Sequence, residues 1–190
     1  MEEMMHALFI IMIAVALSLD IFGALCNRGA LLVKLDKKVA EIVASCAALQ
    51  LASACVGYWL GSLLLRNGTT EHSAFWVHAF AGVLLAAIGV RMLIQAFKKN
   101  GTAEHRMDEV DIRTDLKISL LQCINALLAG VVCGIMTYNF LYMVIAIALG
   151  TAIFAAVGYF SGRSFGPTPS HKAYAIGGGM LCIISIVLQL

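Results

Sequence analysis

Six long apolar stretches dominate this chain, and they leave it few ways to fold. They cover roughly residues 5–27, 39–65, 74–97, 116–137, 139–162 and 172–190. Each has the ~20 mostly apolar residues that an α-helix needs to cross a bilayer. The runs are too long and continuous for the alternating strands of a membrane β-barrel. Inside lipid every backbone polar group needs a partner within the protein, so helices are the spanning element left. Composition agrees. Of the 190 residues, 61% are hydrophobic and 13% charged, whereas soluble domains run nearer half apolar and a quarter charged. The expected fold is an all-α integral membrane protein with six transmembrane helices in one bundle.

The opening "MEEMMH" is acidic instead of basic, and no A-x-A site closes the first apolar run. It reads as a retained spanning helix, not a cleaved signal. Six cysteines are present, but none forms a CxxC pair, which argues against a zinc site or a disulfide framework.

Connections between the runs are short except for "KKNGTAEHRMDEVDIRTDLK", residues 98–117. This segment is polar, of mixed charge, and reads as a solvated linker. It divides the chain into 1–97 and 118–190, three helices each. Basic residues fix an expected orientation. The first connection carries Arg28, Lys34, Lys37 and Lys38, the linker carries five Lys or Arg, and the fifth connection carries Arg163 and Lys172. The opposite side has only Arg66. Odd-numbered connections are therefore expected in the cytoplasm and both termini outside, in a multi-pass plasma membrane (cell inner membrane) protein.

A repeat runs through the chain. "VGYWLG" at 56–61 recurs as "VGYFSG" at 157–162, and Asp20 in "SLDIFGAL" matches Asn125 in "CINALLAG". The offsets are 101 and 105 residues. Each half has an odd number of helices, so the second half is expected to cross the membrane inverted. That plan recurs in secondary transporters, with the site near the midplane between halves. The glycine pairs Gly57/Gly61 and Gly158/Gly162 have the G-x-x-x-G spacing of close helix packing.

Asp20 is the one acidic residue placed well inside an apolar run. A central Asp costs about 2.5–3.5 kcal/mol on insertion scales. Such residues usually face the bundle interior or a wet cavity and take part in transport. Gln50, Asn125 and Thr151 lie near the middles of their runs, and Ser18 lies two residues before Asp20. Their oxygens suit hard divalent cations, and they also serve as ordinary interhelical hydrogen-bonding groups. Arg91 and Gln95 share a helix face four residues apart. Arg91 either snorkels to the interface or partners Asp20. No HxxxH spacing, nucleophile–base pair or phosphate-cradling loop appears, so an enzyme is not expected.

Two segments carry a family resemblance. "SLDIFGALCNRGA" in the first run resembles the S-[LM]-D-[AS]-F segment of the MntP-type manganese efflux pumps, a family with a sporulation-associated membrane protein branch. "GVRMLIQAFK" at 89–98 resembles that family's G-G-R-M-I-x-E-G-F stretch. The resemblance spans nearly the whole chain. It implies manganese, as a transported ion, and alternating access. On that reading Asp20, Asn125, Gln50 and Gln95 hold the metal, while Arg91, Thr151 and Ser18 tune transport. The chain departs from the pattern at three places, where Gln50, Gln95 and Asn125 stand for carboxylates. An amide keeps a carbonyl oxygen but cannot neutralise a dication. The alternative expectation is therefore a member that has lost manganese transport and carries another small substrate or has a structural role. Expected partners are the lipid bilayer and a divalent cation. No permanently bound cofactor and no nucleic acid is implied, and the oligomeric state is open.

Overall fold

The computed structural model describes residues 2–31, 37–67, 71–97, 112–136 and 138–189. These residues form six helices: α1 (Glu2–Leu31), α2 (Lys37–Asn67), α3 (Glu71–Phe97), α4 (Ile112–Ile135), α5 (Phe140–Phe165) and α6 (Thr168–Val187). All but α4 contain a stretch long and apolar enough to cross a membrane. Within α4 the described apolar stretch is the shorter Gln122–Ile135. Its first two turns, "IRTDLK", are polar.

Most helices run past the apolar stretches read from sequence. A helical hydrogen-bond ladder does not stop where hydropathy falls, because polar turns continue it into the interface. The expected linker 98–117 is shortened accordingly, since α4 begins at Ile112. The linker's residues 98–111 and Lys34 of the first connection lie outside the described residues. The expected 163–172 connection contracts to Gly166-Pro167. Gly166 adopts φ 71° and its N–H donates to Gly162 O, which ends α5. Glycine takes that left-handed backbone without a Cβ penalty. Pro169, in the first turn of α6, suits a helix start because it lacks the N–H that would go unpaired there. At the other turn Asn139 caps α5, its side-chain oxygen accepting from the N–H groups of Leu141 (3.0 Å) and Tyr142 (3.5 Å).

The outside of the bundle is apolar, with Trp59, Trp76, Ile94, Leu149 and Phe160 among its exposed side chains. The inside holds the polar groups Ser18, Asp20, Gln50, Gln122, Asn125, Thr151, Ser170 and Ser185. An apolar outer surface around an interior that includes these polar groups matches a lipid solvent.

The helices pair as α1 with α5, α2 with α4 and α3 with α6, and α6 also lies along α1. Between α2 and α4 a methyl group on Gly57 would strike the carbonyl of Leu127, and one on Gly61 that of Val131. From the α4 side, Gly134 abuts the carbonyl of Tyr58 and Gly130 that of Ala54. Both contact series rise together, so α2 and α4 run parallel. Between α1 and α5, Gly158 abuts the Phe22 carbonyl, Gly162 that of Cys26, and Gly29 that of Tyr159. These helices are parallel too. Contacts of α3 with α6 run the other way. Ser185 Oγ donates to Gly82 O (2.8 Å), while His171 Nδ1 lies 2.9 Å from Ala96 O. Small residues let backbones approach this closely, and in lipid such packing supplies much of the association energy.

A candidate polar site at the bundle centre

Asp20 lies near the middle of the apolar span of α1, where that helix meets α4. Its carboxylate accepts a hydrogen bond from Asn125 Nδ2 at 2.7 Å. Both residues are buried, 4% and 1% exposed, so lipid and bulk water are both kept from the pair. Gln122, one turn earlier on α4, directs its Nε2 to the Asp20 backbone carbonyl at 3.5 Å. The remaining end of the Asn125 amide, Oδ1, accepts from Arg91 Nη1 on α3. A guanidinium, an amide and a carboxylate thus form one chain across three helices. The charge of Arg91 also falls within range of Asp20 itself.

The orientation of Asn125 follows from chemistry. A guanidinium only donates, so the amide oxygen has to face Arg91. The amide nitrogen then faces the carboxylate, which accepts. In this arrangement Asn125 gives Asp20 a donor, and its oxygen is engaged elsewhere.

The other residues singled out from sequence fall in several places. Gln50 on α2 and Thr151 on α5 are 2% and 1% exposed, and Gln50 Oε1 and Thr151 Oγ1 are buried with no hydrogen-bond partner among the described residues. Gln95 Oε1 on α3, one turn beyond Arg91, is in the same condition. A buried oxygen without a donor is expensive, and such groups collect where a ligand or water completes them. Ser18 does not join the Asp20 chain. Its hydroxyl donates back to Ala14 O (2.7 Å) and sits against Gly150 of α5. Two residues along a helix point to different faces, which separates it from Asp20. Gly57, Gly61, Gly158 and Gly162 lie in the two parallel seams.

Gly130 and Gly134, Tyr174 and an apolar groove are further features that the fold brings out. Gly130 and Gly134 form a third close-spaced pair, visible as "GVVCG" and facing α2. Tyr174 of α6 lays its ring on Gly23, one turn past Asp20, near enough to feel both Asp20 and Arg91. No sequence spacing announces it, because the contact depends on how α6 leans on α1. An apolar groove of ≈330 Å³ lined by Leu60, Leu63, Leu64, Phe80, Leu84, Leu128 and Val131 contains none of the polar residues. No three His, Cys, Asp or Glu side chains cluster among the described residues. Among the described residues the centre holds one carboxylate, Asp20, hydrogen-bonded to the Asn125 amide.

Comparison with known proteins adds the family. The profile described as "Putative manganese efflux pump" matches residues 33–188. A protein of Fusobacterium nucleatum named "Putative manganese efflux pump MntP" is 29% identical, the match covering 98% of this chain and all of that protein. One of Sodalis glossinidius with the same name is 26% identical over 90% of this chain and 86% of its own length. The "Probable manganese efflux pump MntP" of Salmonella paratyphi B is 27% identical over 96% of this chain and 95% of its own. No solved structure matches. The chain belongs to the MntP family, and it is a multi-pass membrane transporter of that family.

Proposed function

We propose that this protein exports manganese across the plasma membrane by alternating access between two inverted three-helix halves. The halves hold α1–α3 and α4–α6, the linker between Phe97 and Ile112 lies in the cytoplasm, and both termini lie outside. The seams support the duplication. Gly158 on Phe22, Gly162 on Cys26 and Gly29 on Tyr159 correspond, after shifts of 101 and 105 residues, to Gly57 on Leu127, Gly61 on Val131 and Gly134 on Tyr58. Under that correspondence Asp20 and Asn125 are equivalent and meet on the pseudo-two-fold axis, where transporter sites of this plan lie. The names of the relatives support manganese as the cargo.

One observation carries the proposal: a buried carboxylate, Asp20, bonded across the two halves to Asn125. Asp20 supplies the charge that draws a dication into the membrane. Gln50 Oε1, Gln95 Oε1 and Thr151 Oγ1 are uncommitted oxygens for its shell. Manganese accepts such hard oxygen ligands.

A manganese-sensitive host tests this. The wild-type chain should confer resistance, and Asp20→Asn should abolish it at equal protein level in the membrane. Undiminished resistance with Asp20→Asn would overturn the assignment of Asp20.

A further inference from the structure

The Arg91–Asn125–Asp20 chain has a polarity that bears on how the site loads. Asn125 offers Asp20 its nitrogen because its oxygen faces Arg91. A cation approaching Asp20 would therefore meet an N–H₂ group pointing the wrong way, with a guanidinium directly behind it. Both features repel it. Neither can be relieved alone, because the amide cannot turn its oxygen toward the carboxylate while a pure donor occupies the other side.

We infer that Arg91 is a tethered counter-cation that competes with the transported ion for Asp20, using Asn125 as the switch. With the site empty, Arg91 balances Asp20 through the amide, as in this structure. When a dication arrives, Arg91 withdraws, Asn125 turns, and its Oδ1 joins the carboxylate as a ligand. Withdrawal has somewhere to go. Arg91 is only half-buried, lies about two turns from the end of α3, and has a long stem suited to snorkelling. Among the described residues the cluster holds one carboxylate and one guanidinium, so the exchange keeps Asp20 compensated in both halves of the cycle. An unpaired charge inside the membrane would otherwise oppose the return of the empty carrier. Tyr174 of α6 packs its ring on Gly23, one turn past Asp20. Arg91 is thus a positioning residue that sets affinity and permits turnover. It is not a ligand.

This inference rests on the manganese reading, and one experiment separates the two. Mn²⁺ binding is measured by titration calorimetry on the purified full chain in detergent, for wild type, Arg91→Ala and Arg91→Lys. Loss of a competing charge should tighten binding by about tenfold in Arg91→Ala, the scale of a single nearby charge at partial burial. Arg91→Lys keeps the charge but loses the planar fork, so its affinity should fall between. It also provides the reading if the alanine variant does not accumulate. Millimolar guanidinium should weaken Mn²⁺ binding by Arg91→Ala and leave wild type unchanged, which a merely structural role for Arg91 would not produce. Variants that bind no more tightly than a wild type that does bind would overturn the competition and leave the manganese reading standing. Absence of Mn²⁺ binding in all three would overturn both.

Discussion

The seam between α1 and α5 and the seam between α2 and α4 are built to one backbone plan and carry different chemistry. In each, two glycines four residues apart sit on carbonyls of a parallel helix, and a tyrosine carbonyl receives a glycine in return. The polar groups at matching points differ. Asp20 stands opposite Asn125, and Thr151 matches Gln50. One tyrosine hydroxyl, Tyr58, donates to Tyr138 O at 2.8 Å, while its counterpart Tyr159 is buried without a partner among the described residues. Close packing constrains shape at every glycine, so both seams share one backbone arrangement. Charge at the centre needs only one carboxylate and one compensating cation, so it can be one-sided.

The packing half of this comparison breaks most violently. Gly162→Leu and Gly61→Leu should each prevent accumulation of folded protein, since the obstacle is a backbone carbonyl that cannot move aside as a side chain does. Overpacking typically costs about 1–3 kcal/mol, and these sites should exceed it. Equal loss at both, read as membrane yield and detergent melting temperature, supports equivalent seams. Loss at only one would separate them. Next in size is the charge. Asn125→Asp should tighten Mn²⁺ binding by about tenfold, because a second carboxylate faces the same centre. Unchanged affinity would mean that Asn125 lies outside the ion's shell. Smaller effects come from the flanking oxygens. Gln50→Leu and Thr151→Val should each weaken Mn²⁺ binding about fivefold, the worth of one neutral ligand or hydrogen bond. If neither moves affinity, the unpartnered oxygens serve only structure. Smallest are the tyrosines. Tyr58→Phe should cost about 1 kcal/mol for the lost bond to Tyr138 O, and Tyr159→Phe should cost nothing measurable or stabilise slightly. Equal costs would contradict the difference between the two hydroxyls.

Much of this was open to a reader of the sequence. The apolar runs locate all six helices, because lipid leaves the backbone little else to do. The recurrence of "VGY" with its glycine, and the matching of Asp20 with Asn125, mark the residues that later lie in the seams and at the centre. Helix ends were less legible, since hydropathy reports the lipid boundary and not the hydrogen-bond ladder. The Gly166-Pro167 turn shows this, closing a connection expected to run from 163 to 172. The direction of each side chain was least legible. Ser18 stands two residues from Asp20 and faces α5 instead of the carboxylate. Which end of the Asn125 amide meets Asp20 depends on Arg91, 34 residues away on another helix. Tyr174 reaches the centre only because α6 leans on α1.

The central claim is that Asp20 carries the transported ion, and flux through purified protein tests it most directly. Wild type and Asp20→Asn would be reconstituted at equal density in liposomes holding a Mn²⁺-quenched dye. Wild type should admit Mn²⁺ down its gradient faster than empty liposomes, and Asp20→Asn should match the empty liposomes while retaining the wild-type elution profile. Equal Mn²⁺ flux through both proteins would contradict the account.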